Sequence, residues 1–100
     1  MENRVEMNDI ALEKVAGGND GLTTRMVTGL KSGFLAIRSD TVYDPKNELG
    51  TLYNGDYVYS TERYCGMYVY VYAICRKDYT YDRPAYSGYG WVNSNYLSRL

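Results

Sequence analysis

The residues with chemistry to offer in this 100-residue chain are two cysteines, twelve carboxylates and thirteen tyrosines, and there is no histidine. Without imidazole the chain lacks the usual general base and the commonest metal ligand. A cysteine nucleophile needs a base to raise its thiolate, and Cys65 and Cys75 have none of the usual partners. Cys65, Met67 and Cys75 together have soft-metal character, but their spacing fits no metal motif. Asp78 and Asp82 are a carboxylate pair of the kind that does acid–base work, yet they share their loop with Lys77 and Arg83. Such mixed charge reads as solvated surface. No glycine-rich phosphate loop follows a strand, so the expectation is a protein that is not an enzyme and carries neither cofactor nor metal.

Binding has better support. Thirteen tyrosines stand against one tryptophan and one phenylalanine, more than one small core can hold with every hydroxyl satisfied. The surplus must face solvent at least in part. Tyrosine-rich surfaces offer large contact area at low side-chain entropy cost. The formal charge of −1 argues against a nucleic-acid binder driven by bulk electrostatics. No apolar run approaches the roughly 18 residues that cross a bilayer. No basic start precedes an apolar core of about 7–15 residues, as a general secretory signal would require.

The elements that must position these side chains are short strands. Phe34–Arg38, Asp56–Thr61 and Met67–Ile74 alternate as strands do, and Asn54-Gly55 is a strong turn signal because both residues tolerate positive φ. In Met67–Ile74 the face Val69, Val71, Ala73 is the expected core, with Tyr68, Tyr70 and Tyr72 on the opposite, solvated face. If Tyr68–Ile74 is one extended strand, Cys65 and Cys75 lie about 30 Å apart at ~3.3 Å per residue. A disulfide needs Cα atoms within about 7 Å, so free thiols are expected. Glu62–Gly66 reads as a turn, Asp40–Leu49 and Arg76–Ser87 as polar loops, and residues 19–28 as a linker or the lead-in to a first strand. Strands with turn signals every ten residues or so argue for a small all-β barrel or sandwich.

The order of these pieces resembles a bacterial SH3-like domain. Leu35-Ala36-Ile37-Arg38-Ser39 is similar to that family's first strand, and Gly50-Thr51-Leu52 followed by Asn54-Gly55 to its next segment. The stretch Gly88–Leu97 (GYGWVNSNYL) looks like its closing strand, 3₁₀ turn and last strand. Met67 stands where family members usually have tryptophan after the turn glycine. The resemblance covers Gly33–Leu97 and implies an SH3-like barrel of five to six strands over residues 29–100. It also implies a ligand groove between the loop at Asp40–Leu49 and the closing stretch. Tyr43, Tyr64, Tyr89, Trp91 and Tyr96 would line that groove, with Asp40, Asp44 and Glu48 as an acidic rim. Secreted members of the family commonly bind cell-wall peptide, so a peptidoglycan-directed module is implied.

Residues 1–18 differ from the rest: they hold no tyrosine, and four acids stand against two bases. Met7, Ala11, Leu12 and Val15 fall on one helical face, and Gly17-Gly18 would end such a helix. An isolated helix of this length is marginal in water. The segment resembles a double-glycine leader, recognised and removed by a peptidase-containing ABC exporter of bacteria. Met7, Leu12 and Val15 would dock, and cleavage would follow Gly18, although Ala11 stands where an acid is common. The resulting expectation is a secreted or wall-associated binding module starting at Asn19. The alternatives are a bacteriocin-like toxin or signalling effector on the same scaffold, and a cytoplasmic peptide-binding adaptor.

Overall fold

The computed structural model describes residues 21–98, so the segment resembling a leader, with Met7, Leu12, Val15, Gly17 and Gly18, lies outside the described residues. The chain is all-β. Six strands, β1 (Thr23–Met26), β2 (Leu35–Arg38), β3 (Glu48–Leu52), β4 (Tyr57–Cys65), β5 (Tyr68–Cys75) and β6 (Tyr86–Asn93), form one sheet in the order β1-β4-β5-β6-β2-β3. Every pairing is antiparallel. Among the described residues no helix is long and apolar enough to cross a membrane.

A single sheet with one apolar face must bury that face against itself. Val69, Val71 and Ala73 of β5 point inward, as their alternation predicts, and meet Val58, Val92, Ile37, Leu52 and Val27, all fully buried. The curl brings β3 back onto β5. A Cβ on Gly50 would lie 2.9 Å from Cys75 Sγ, so only glycine permits that approach. The edge strands β1 and β3 do not pair with each other, and the sheet is curled but not closed.

The closing stretch has the expected strand and 3₁₀ turn, but an isolated bridge at Leu97 stands in place of the expected last strand. β6 ends at Asn93, whose side chain accepts from the Asn95 amide, and Ser94–Tyr96 form a 3₁₀ turn. Leu97 then bridges to Val27, with Thr28 N–H donating to Tyr96 O and Ser98 N–H to Met26 O.

Four boundaries differ from the sequence reading, the simplest being the loop expected over Arg76–Ser87, whose last two residues already belong to β6. Part of the expected 19–28 linker is in the sheet: Thr23–Met26 form β1, and Val27 is a core residue. The strand looks polar because Arg25 carries its charge to Glu62, donating at 2.8 and 2.6 Å. The expected Glu62–Gly66 turn is instead strand, and the chain reverses at Gly66-Met67. Glu62 marks a bulge with φ +62° where the register shifts between Ser60 and Arg63, held by Arg25 and by its own amide donating to Ser60 Oγ. The loop expected over Asp40–Leu49 stops earlier, because a 3₁₀ turn at Pro45–Asn47 returns the chain and Glu48 opens β3.

Candidate functional site

Two open depressions mark the surface. The smaller, about 420 Å³, lies on the outer side of β2 where the 3₁₀ turn of the closing stretch meets the β2–β3 hairpin. Its walls include Phe34, Tyr43, Tyr68 and Tyr96, and Arg38, Glu48 and Asn93 also line it. Alternation decides which side chains arrive there. Leu35 and Ile37 enter the core, so Ala36 and Arg38 take the other face of β2. Arg38 is nevertheless almost wholly buried, because the 39–47 loop folds over it. Its Nη1 donates to Asp44 O at 3.0 Å and to Asn47 Oδ1 at 3.1 Å, and Tyr43 sits 4.5 Å from its guanidinium carbon. Glu48 lies beside it, with Arg38 Nη2 at 3.6 Å, and accepts from Arg83 Nε and Nη2 at 3.0 and 2.6 Å.

The larger depression, about 910 Å³, lies between the Tyr53–Tyr57 segment and the 76–81 segment, and the Phe34–Tyr81 ring pair stands between the two hollows, centroids 4.8 Å apart. Asp78 lies in its wall. Its carboxylate accepts from Thr51 Oγ1, from the Tyr53 hydroxyl and from the amides of Thr80 and Tyr81. The Tyr53 hydrogen bond, ahead of the other three, holds the Asp78 carboxyl down at about 2, and the same bond pushes Tyr53 up to about 12. A carboxylate so fully donated to anchors the 78–83 turn and has little capacity left for a ligand. The pair Asp78/Asp82 is therefore split: Asp82 pairs with Lys77 at the surface, 3.2 Å away.

The eight residues expected to line a groove fall in several places. Tyr43, Glu48 and Tyr96 come together in the smaller hollow, with Tyr43 projecting and Tyr96 partly buried against the core. Tyr89 and Trp91 stand instead on the outer face of β6. There Tyr70 stacks on Tyr89 at 5.5 Å and meets Trp91 at 4.9 Å, Tyr72 meets Tyr89 edge-on, and Arg63 lies over Tyr70. Tyr64 is on the β4–β5 hairpin, its hydroxyl donating to Glu62. Asp40 and Asp44 accept from the backbone amides of Thr41 and Lys46, so both carboxylates shape the loop. Glu48 is enclosed by arginines. Phe34, Arg38, Tyr68 and Asn93 were not on the expected list. The inward alternation of Leu35 and Ile37, which leaves Arg38 on the other face, was the available signal for one of them.

Both cysteines are free, Cys65 exposed and Cys75 buried, as the strand length predicted. Burial raises the Cys75 thiol to about 12. Among the described residues no group of three or more metal-ligating side chains could hold a metal ion. Compared with known protein families, curated proteins and solved structures, the chain matches none. Its likeness to SH3-like domains and to double-glycine leaders therefore rests on the motifs alone.

Proposed function

We propose that this chain is a small binding module whose hollow beside Tyr96 takes an extended peptide, and that the peptide is one from the bacterial cell wall. The observation that carries the reading is the convergence of Phe34, Tyr43, Tyr68 and Tyr96 around one open hollow on the sheet. Aromatic side chains supply contact area with few rotors to freeze, and the buried Arg38 and Glu48 give the hollow polar groups that fix orientation. The wall peptide as ligand class, with export after cleavage following Gly18, comes from the resemblance of Gly33–Leu97 to bacterial SH3-like domains and of residues 1–18 to a double-glycine leader.

Retention of the protein on purified cell-wall sacculi, compared with its Tyr43→Ala variant, tests the binding reading. Tyr43 is 80 % exposed, so its loss leaves the fold intact and should release the protein from the wall. Equal retention of both proteins refutes the assigned hollow. Growth inhibition by a protein that does not bind sacculi would favour the toxin. A secreted species whose mass begins at Asn19 supports the leader, and full-length protein found only inside cells argues for the adaptor.

A further inference from the structure

The charges beneath the hollow do not balance. Two guanidinium groups, Arg38 and Arg83, share one carboxylate, Glu48, leaving a formal excess of one positive charge. Among the described residues no other carboxylate is in ion-pair contact with either arginine. Glu48 is drawn toward Arg83, whose two donors both reach its Oε1. Arg38 Nη2 is left 3.6 Å from Glu48 Oε2, too far for a hydrogen bond. The other partners of Arg38 are neutral acceptors, Asp44 O and Asn47 Oδ1, and the Tyr43 ring. Arg38 is also the better buried of the two cations, its side chain 7 % exposed against 34 % for Arg83. A cation removed from water and incompletely paired is costly, and an arriving anion lowers that cost.

We propose that the hollow holds its ligand through a carboxylate placed at Arg38, and that the free C-terminal carboxylate of a peptide is the group it reads. This rests on the reading of the hollow as a peptide site. With Nη1 already donating to Asp44 O and Asn47 Oδ1, Nη2 is the donor left to meet a carboxylate oxygen in a charge-assisted hydrogen bond. Tyr68, Tyr96 and Phe34 flank the same hollow and give the residues preceding that carboxylate apolar surface to lie on. The cation is positioned in advance, because Nη1 is fixed by the 39–47 loop and Arg38 is the residue through which β2 pairs with β6, opposite Trp91. Arg83 sets the strength of the site at second hand: by holding Glu48 it keeps that carboxylate from neutralising Arg38.

The test is a titration of the full chain followed by amide NMR shifts, with N-acetyl-alanyl-alanine as the free acid and as the carboxamide. The free acid should shift the amides of Arg38, Tyr43 and Glu48 and saturate, and the carboxamide should bind about ten-fold more weakly, the scale of one charge-assisted hydrogen bond. Arg83→Gln, which releases Glu48 to Arg38, should weaken the acid about five-fold and leave the carboxamide unchanged; this partly exposed position keeps the variant foldable. Equal affinity of acid and carboxamide, with shifts still mapping to the hollow, overturns the carboxylate and leaves the peptide site standing. Absence of shifts in the hollow with either probe, together with no retention on sacculi, overturns both.

Discussion

Gly90→Ala is the substitution with the largest calculable effect, because it strikes the junction that carries Arg38. Gly90 lies on the inward face of β6, and a Cβ there would sit 2.5 Å from Ile37 Cγ1, 3.0 Å from Ile37 Cδ1 and 2.9 Å from the Arg38 carbonyl oxygen. Carbon atoms in contact prefer about 3.5–4.0 Å, so Ile37 must retreat by roughly 1 Å into a close-packed interior. Ile37 is fully buried in the core cluster. The carbonyl is backbone, and moving it pulls on the single residue pair, Arg38 opposite Trp91, that joins β2 to β6. Overpacking of this kind costs about 1–3 kcal/mol, and the backbone contact places this site at the upper end. For a domain of this size, about 3 kcal/mol lowers the melting temperature by some 12–24 °C. Urea unfolding followed by the fluorescence of the sole tryptophan, Trp91, measures the difference. Ile37→Ala removes two of the three clashing atoms. The double variant should therefore be more stable than the sum of the single effects by about 1–2 kcal/mol. A Gly90→Ala protein within about 0.5 kcal/mol of the wild type, or a double variant that is simply additive, would refute the packing argument.

Acid should destabilise the fold in a defined window. The Asp78 and Glu62 carboxyls are lowered from ordinary values of 3.8 and 4.5 to about 2, chiefly by hydrogen bonds from Tyr53 and Arg25 respectively. Stability from both is present above those ordinary values and is lost as pH falls through about 2, so the melting temperature should drop between pH 5 and 2; a flat profile contradicts the two networks. In a thiol-labelling time course read by mass, Cys65 should react within minutes, and Cys75, buried with its thiol raised to about 12, only after unfolding. Two labels gained together under native conditions would mean that β5 opens where Gly50 crosses it. Tyr96→Leu keeps an apolar side chain against the core but removes the aromatic wall, and should weaken peptide binding by roughly 1–3 kcal/mol while changing stability less; an unchanged affinity removes Tyr96 from the site.

What the sequence revealed, and what it hid, follows from the range of the interactions. Alternation is local, so the inward face of β5 and the polar 3₁₀ turn at Ser94–Tyr96 could be read directly. β1 was harder to see because its burial is shared with a partner 37 residues away, the Arg25–Glu62 pair. The same pair holds Glu62 in a left-handed conformation that a sequence reader assigns to a turn. Of the eight residues expected to line a groove, Tyr43, Glu48 and Tyr96 line one hollow, because the β2–β3 hairpin and the closing turn meet there. Strand parity, counted along β6 from buried Val92, sends Tyr89 and Trp91 to the outer face, where they pack with Tyr70 and Tyr72 and are not among the residues lining the hollow. Glu48 as an exposed rim was the least legible point: its two arginines lie 10 and 35 residues away along the chain.

The contact of Leu97 and Ser98 with Val27 and Met26 also governs timing. The first strand of the sheet finds one neighbour in β4 and the other in the last described residues. A chain emerging amino-end first, from a ribosome or through a narrow pore, therefore cannot seat Val27 on both sides until Tyr96–Ser98 have also emerged. The contact order of Val27 is thus set by a partner 70 residues away, and its second side closes late in any vectorial process.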